Sequence, residues 1–186
     1  IGVAISDRQK IRFFSELGVS FWKTLSWDLS NSLLQRDLEK TGKPTFVSTG
    51  MASVDEILQF SQTFPRVTFI HTQLTYELGD VNLKAIETIR DTTGCPVAYG
   101  LHSERREILY MATAFRPDGL FFYIKDDSEE EHPDDLHAIP LNDLKAVVKN
   151  LEDFSVCIGT GEKSRIANDL HPPDDSICRQ QNSIDR

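Results

Sequence analysis

Short apolar and β-branched runs recur along the chain, and each is followed by a segment in which apolar residues return every three or four positions. The runs are Ile1 to Ser6, Phe21 to Ser26, Pro44 to Thr49, Val67 to Leu74, Pro96 to His102 and Gly119 to Lys125, and they predict six strands. The periodic segments Asp7 to Leu17, Ser32 to Lys40, Val54 to Thr63, Val81 to Thr92, Ser103 to Ala114 and Leu141 to Leu151 predict six helices. The boundaries carry matching punctuation. Ser53-Val-Asp-Glu56 is a capping box, Gly18, Gly42 and Gly94 stand where helices end, and Pro44 and Pro96 precede strands.

Strands covered on both faces read as continuous apolar runs rather than alternating ones, and Thr45-Phe-Val47 and Gly119-Leu-Phe-Phe-Tyr-Ile124 do so. A (βα)₆ order with such strands predicts a parallel sheet. Six parallel strands suit an open doubly wound sheet or six-eighths of a (β/α)₈ barrel, and periodicity does not separate the two. After Phe154 the pattern dissolves into Gly159-Thr-Gly161, Pro172-Pro173 and a polar end, so 1–153 is expected to fold and 154–186 to form a linker or tail. The stretch Asp126 to Asp135 holds seven carboxylates and reads first as a solvated loop.

Composition narrows the class. The chain has 186 residues, 39% hydrophobic, which suits one core. A formal net charge of -9 leaves no basic surface for a phosphate backbone, which argues against nucleic acid. The apolar runs are far shorter than the roughly 20 residues of a membrane-spanning helix. Three cysteines, Cys95, Cys157 and Cys178, form neither an even disulfide set nor a close-spaced metal motif, which fits a reducing compartment, with the cytoplasm as the expectation.

The segment Gly42-Lys-Pro-Thr-Phe-Val-Ser-Thr-Gly-Met-Ala-Ser53 resembles the G-K-P-[VI]-[IL]-[LI]-S-T-G-M-[AS]-[TS] strand and turn of the sialic acid synthases. Four weaker matches follow the same order: Glu16 to Ser26 resembles that family's E-L-x-V-P-x-F-K-[IV]-x-S, and Asp80 to Ile86 its D-[VL]-N-L-x-[AV]-I. Pro96 to His102 resembles P-[VI]-G-Y-S-[DG]-H, and His137-Ala-Ile139 with Leu141 resembles D-H-[AS]-x-S-L. The resemblance covers about Ile1 to Gly161. It implies a (β/α)₈ barrel of which strands three to eight are present, so the expectation is a longer natural protein or another segment that closes the gap. The tail from Ser155 resembles the family's linker to a small antifreeze-like domain through which its members dimerise. A homodimer or a partner protein is the implied assembly.

The resemblance also implies a chemistry. In the family, phosphoenolpyruvate condenses with N-acetylmannosamine or its phosphate: a divalent metal, manganese or magnesium, polarises the sugar aldehyde, C3 of phosphoenolpyruvate attacks it, water adds to C2 and phosphate leaves. Lys23 aligns with a lysine on phosphoenolpyruvate, with a snorkelling strand-edge lysine as the structural alternative. Ser26 and Ser48 align with hydroxyls around the same phosphate, and Tyr76 falls among the substrate-binding positions. His102 aligns with one of two metal-binding histidines.

Several positions depart from the pattern. The family's E-[KR]-H-[FI]-T becomes Tyr123-Ile-Lys-Asp-Asp127, so Tyr123 replaces a glutamate and Lys125 replaces the second metal histidine. An ammonium is a donor only, so the metal site is expected to be lost or rebuilt. Ala4, Leu74 and Gly100 replace a threonine, an asparagine and a serine. His71 reads as a packed core histidine. Lys125 is therefore a second catalytic candidate beside Lys23, able to polarise a carbonyl or form a Schiff base. The function expected from the resemblance is a synthase-like condensation whose activity is open to loss. The alternative is a catalytically silent barrel that binds a sugar or phosphate ligand or serves assembly.

Overall fold

The computed structural model describes residues 1–126 and 133–163. Six strands form one parallel sheet in sequence order: β1 (Gly2–Ala4), β2 (Phe21–Thr24), β3 (Thr45–Ser48), β4 (Thr68–His71), β5 (Val97–Gly100) and β6 (Leu120–Phe121). Helices α1 (Ile11–Glu16), α2 (Ser32–Lys40), α3 (Val54–Thr63), α4 (Ala85–Thr93) and α5 (Glu107–Ala112) connect them. The sheet is an open, incomplete barrel.

The strand period divides the side chains between two faces. Trp22, Val47, Phe69, Val97 and Tyr99 point to the helix side, where they are buried in two apolar clusters with residues such as Leu34, Leu38, Ile57, Phe60, Ile86 and Ile89. Phe21, Lys23, Phe46, Ser48, Ala98, Gly100 and Phe121 lie at the alternate positions of the same ladders. On that face Phe46 stacks edge-on against Phe21 at 5.4 Å and against Phe121 at 5.1 Å between ring centroids. Phe46 belongs to β3 and Phe121 to β6. In a flat sheet strands three apart are separated by about 14 Å, so their contact requires a strongly curved sheet with these rings on its concave floor.

Local chemistry sets the helix ends. Ser53 accepts from the Glu56 amide at 3.4 Å while the Glu56 carboxylate accepts from the Ser53 amide at 2.7 Å, completing the capping box of α3. Asn31 caps α2, whose apolar face inserts Leu34 and Leu38 beneath Trp22. The Trp22 indole donates to Thr41 Oγ1 at 2.9 Å, so the buried ring keeps no unpaired donor.

Several element boundaries differ from those the periodicity predicts, among them the starts of α1 at Ile11 and of α5 at Glu107 rather than at Asp7 and Ser103. The last strand, expected as one run from Gly119 to Lys125, is broken. Leu101 donates to the Phe121 carbonyl at 2.8 Å, which is where β5 ends, and the chain then leaves the sheet. Its next backbone groups find a new partner: β7 (Ile124–Lys125) pairs in parallel with β8 (Ile139–Pro140), and the Ile139 amide donates to the Tyr123 carbonyl at 2.8 Å. The helix expected from Val81 begins at Ala85, because Asn82 adopts φ 38 and the Val81 carbonyl faces His71 Nε2 at 3.0 Å. The final helix, α6 (Leu141–Ile158), runs two turns beyond Leu151, with Tyr110 of α5 stacked on Phe154 at 5.2 Å. Most of the acidic stretch and the end of the chain, with His132, His171 and Cys178, lie outside the described residues.

Phe46 is the ring shared by both aromatic contacts, and it is partly buried. Phe46→Ala is expected to lower the unfolding free energy by about 2 kcal/mol in urea denaturation, below the full cost of a completely buried phenylalanine. An unchanged midpoint would show that the concave floor does not depend on this ring.

Candidate active site

In a parallel barrel-type sheet the chemistry gathers at the C-terminal strand ends. Here that rim is built from the last residues of β2 to β5, the turns after them, and the segment that returns through β8. Lys23 stands on the concave face one residue before the end of β2. Burial pushes its ammonium below the usual lysine range, and the Asp134 carboxylate draws it back up. The hydroxyl of Ser26, just beyond β2, and that of Ser48, the last residue of β3, lie 2.8 Å apart, and both residues are buried. Gly50 packs closely against that pair: a Cβ there would stand 2.9 Å from Ser26 Oγ, 3.1 Å from the Thr72 methyl and 3.2 Å from Leu74 Cγ. Asp28, also buried, accepts from Ser6 Oγ and ties the turn after β2 to the one after β1.

The opposite side of the rim is aromatic. His102 and His137 stack with centroids 4.6 Å apart and planes at 28°. Tyr123 meets both edge-on, at 5.5 Å from His102 and 4.8 Å from His137. Its hydroxyl lies 3.5 Å from His102 Nε2. Tyr76 presents its hydroxyl to His137 Nδ1 at 3.3 Å, and Asp134 Oδ1 lies 3.5 Å from His137 Nε2.

The residues aligned with known roles therefore divide. Lys23 is electrostatically coupled to both His102 and Asp134, so the lysine and the imidazole share one field. Ser26 meets Ser48, and Tyr76 joins the ring cluster through His137. Lys125 is held differently: its ammonium donates to the Asp135 backbone carbonyl at 3.1 Å, along a cleft of about 500 Å³ that Tyr123, Pro133 and Leu141 also line. His71 is a buried histidine against the Val81 carbonyl, as its position in an apolar strand suggested. His137 carries no role in the motif reading, yet it is the most buried ring of the cluster. Its position within His137-Ala-Ile139, just after an acidic run, was the signal for it.

The arrangement does not fit a divalent metal held by two imidazoles. Stacked rings direct their in-plane lone pairs along parallel planes, so they cannot converge on one ion. Both nitrogens of His137 already face Asp134 and Tyr76. Among the described residues no group of three or more His, Cys, Asp or Glu side chains is placed to hold a metal ion. The serine that the family pattern expects at Gly100 is blocked as well, since a Cβ there would lie 3.0 Å from the Ile70 methyl and 3.3 Å from Thr72 Cβ.

With this geometry in place, comparison with known proteins is decisive for the family. The NeuB family model matches residues 4–163. The chain belongs to the NeuB family. The chain is 26% identical over 175 residues to the N,N'-diacetyllegionaminic acid synthase of Legionella pneumophila, covering 88% of this chain and 49% of that protein. It is 26% identical over 164 residues to the N-acetylneuraminate-9-phosphate synthase of Homo sapiens, covering 84% and 46%. Among solved structures, the N-acetylneuraminic acid synthetase of Leptospira borgpetersenii serovar Hardjo-bovis, in complex with citrate, superposes with a TM-score of 0.81 at 23% identity over 98% of this chain and 65% of that one. A truncated 3-deoxy-D-arabino-heptulosonate 7-phosphate synthase from Thermotoga maritima shares the fold, at a TM-score of 0.74 and 14% identity over 86% and 66%. The chain spans about half the length of the curated relatives it matches.

The buried imidazoles give the site a pH signature. Burial is the main force that pushes His71, His102 and His137 below the usual imidazole value, and for His102 the neighbouring His137 and Lys23 add to it against Asp134. When the folded value lies below the unfolded one, the unfolded chain takes up the proton first. Stability is then full above about pH 6.5 and falls as pH drops through that value. The carboxylates of Asp37 and Glu56, lowered by their hydrogen bonds, lose their contribution only at more acidic pH. The Tm is expected to fall between about pH 7.5 and 5.5, and to fall less in His71→Gln. A Tm constant over that window would contradict the buried neutral state of these rings.

Proposed function

We propose that this chain supplies strands three to eight of a (β/α)₈ synthase barrel and that its rim binds phosphoenolpyruvate for condensation with N-acetylmannosamine, its phosphate or a related amino sugar. The observation that carries the reading is that Lys23 and Ser48 share one face of the sheet near the C-terminal strand ends, with the buried Ser48 hydroxyl 2.8 Å from that of Ser26. A fixed ammonium and convergent hydroxyls are what a phosphorylated carboxylate requires, and a partly buried site strengthens each contact. The relatives named as legionaminic, pseudaminic and N-acetylneuraminate-9-phosphate synthases support a sugar-acid product. The work assigned to the protein's own residues is to hold the anion on Lys23, to orient it through Ser26 and Ser48, and to enclose the aldehyde among Tyr76, Tyr123 and the imidazoles. Lys125 serves structure in this reading, through Asp135.

A second reading rests on the substituted positions. Ala4, Leu74 and Gly100 remove polar contacts, and Gly100 cannot regain its hydroxyl without displacing Ile70. A barrel that keeps the anion site and has lost turnover would bind phosphoenolpyruvate and release no phosphate.

Calorimetric titration with phosphoenolpyruvate, with and without manganese, followed by phosphate release in the presence of N-acetylmannosamine, separates the two. The expected result is binding that does not depend on manganese and is weakened about 10- to 100-fold in Lys23→Met, the loss of one charge-assisted contact. Binding without phosphate release would establish the silent barrel. Absence of binding by the unmodified protein would overturn both readings.

A further inference from the structure

Asp134, His137 and Tyr76 form a line that ends in the mouth. The carboxylate Oδ1 stands 3.5 Å from His137 Nε2, and His137 Nδ1 stands 3.3 Å from the Tyr76 hydroxyl. The imidazole at its centre is 4% exposed, while Tyr76 is 48% exposed. The buried base thus meets the mouth through the Tyr76 phenol, while the half-exposed Asp134 carboxylate stands on its other side. His137 Nε2 is buried without an aligned hydrogen-bond partner, and Asp134 supplies a carboxylate oxygen at 3.5 Å from it. Catalytic hydrogen bonds are often this long until substrate tightens them.

The tautomer follows from the neighbours. A carboxylate accepts only, so Asp134 selects the form with the proton on Nε2, which leaves Nδ1 as an acceptor. Nδ1 then takes the Tyr76 hydroxyl as donor. His102 lacks this arrangement: its Nε2 faces Tyr123, and Asp134 acts on it through its field, with no ion-pair contact between them among the described residues.

We propose that Tyr76 is a catalytic acid–base group of the condensation, with His137 as its positioning residue and proton partner and Asp134 fixing the imidazole. The proposal rests on the condensation reading above. After C3 of phosphoenolpyruvate bonds to the aldehyde carbon, the carbonyl pair resides on the sugar oxygen and C2 is an oxocarbenium centre. A water lone pair forms the new C2–O bond as the C2=O π pair returns to the phosphate-ester oxygen. The water proton passes to the Tyr76 oxygen while the Tyr76 proton passes to His137 Nδ1. The imidazolium so formed keeps Nε2–H on Asp134. Reversal of the relay delivers that proton to the sugar alkoxide; the C2–OPO₃ bond then breaks with its pair leaving on phosphate, as a lone pair of the C2 hydroxyl oxygen forms the C2=O π bond and the hydroxyl proton passes to the departing phosphate. Protons and electron pairs balance with phosphoenolpyruvate, aldehyde and water as the reactants. No metal step is required of residues that do not fit one.

The test uses the full chain and two independent measurements. In steady-state phosphate release, Tyr76→Phe is expected to lower kcat about a hundredfold while KM for phosphoenolpyruvate stays within about twofold, and His137→Gln to follow the same split. Turnover retained in Tyr76→Phe would overturn the relay and leave the condensation reading intact. Phosphate release absent in the unmodified protein would overturn the condensation reading and the catalytic use of Tyr76 with it. Nitrogen-15 spectra of the His137 ring test the geometry without turnover: the expected state is Nε2–H with an unprotonated Nδ1 whose resonance moves in Tyr76→Phe. An Nδ1–H tautomer, or a resonance unmoved by the loss of the hydroxyl, would overturn the proposal whatever the activity.

Discussion

The curvature of the sheet is the constraint on which the rest of the molecule depends. A parallel sheet of six short strands carries a helix layer on one face only, and its other face must be filled or folded in. The contact between Phe46 and Phe121 across three strand spacings shows how this is met: the sheet bends until rings from β2, β3 and β6 touch. Bending gathers the strand ends onto one rim, so Lys23 from β2, Ser48 from β3 and His102 just past β5 share a mouth. On a flat sheet the same residues would lie along a line more than a ligand's length apart.

The rim divides by the chemistry its positions allow. One half is small and polar, with Gly50 packed against the Ser26 hydroxyl. The other half is crowded with rings whose nitrogens and hydroxyls face one another. Its electrostatics join the halves: Lys23, His102 and Asp134 act on one another across the opening. Membership in the NeuB family and departure from its metal arrangement are thus compatible. The fold is that of the family, Lys23, Ser26 and Ser48 stand near the strand ends, and on the other side the imidazoles and phenols face one another.

Much of the fold was legible because local signals agreed with the global one. The capping box at Ser53, the apolar run of β3 and the glycine at the end of α4 each name an element that forms where expected. The break after Phe121 was not legible, because an apolar run looks the same whether its hydrogen bonds go to one neighbour or are divided between two. The start of α4 was missed since the positive φ of Asn82 arises from the packing of Val81 over His71, a tertiary effect. At the rim, the resemblance pointed to Lys23, Ser26, Ser48 and Tyr76, and the structure brings Ser26 to Ser48 and Tyr76 to His137. The place of His137 was hidden because it lies in the turn just before β8, a two-residue strand with no periodicity to reveal it.

That short strand has a kinetic meaning. His137 is fixed in place by the chain reversal that feeds β8, and β8 is anchored by a ladder of only two residue pairs with Ile124 and Lys125. A cooperative unit of this size opens at a small fraction of the global unfolding free energy. The imidazole would then leave and re-enter the mouth many times for each unfolding of the barrel, and the Ile139 amide, bonded to the Tyr123 carbonyl, would count those events in hydrogen exchange.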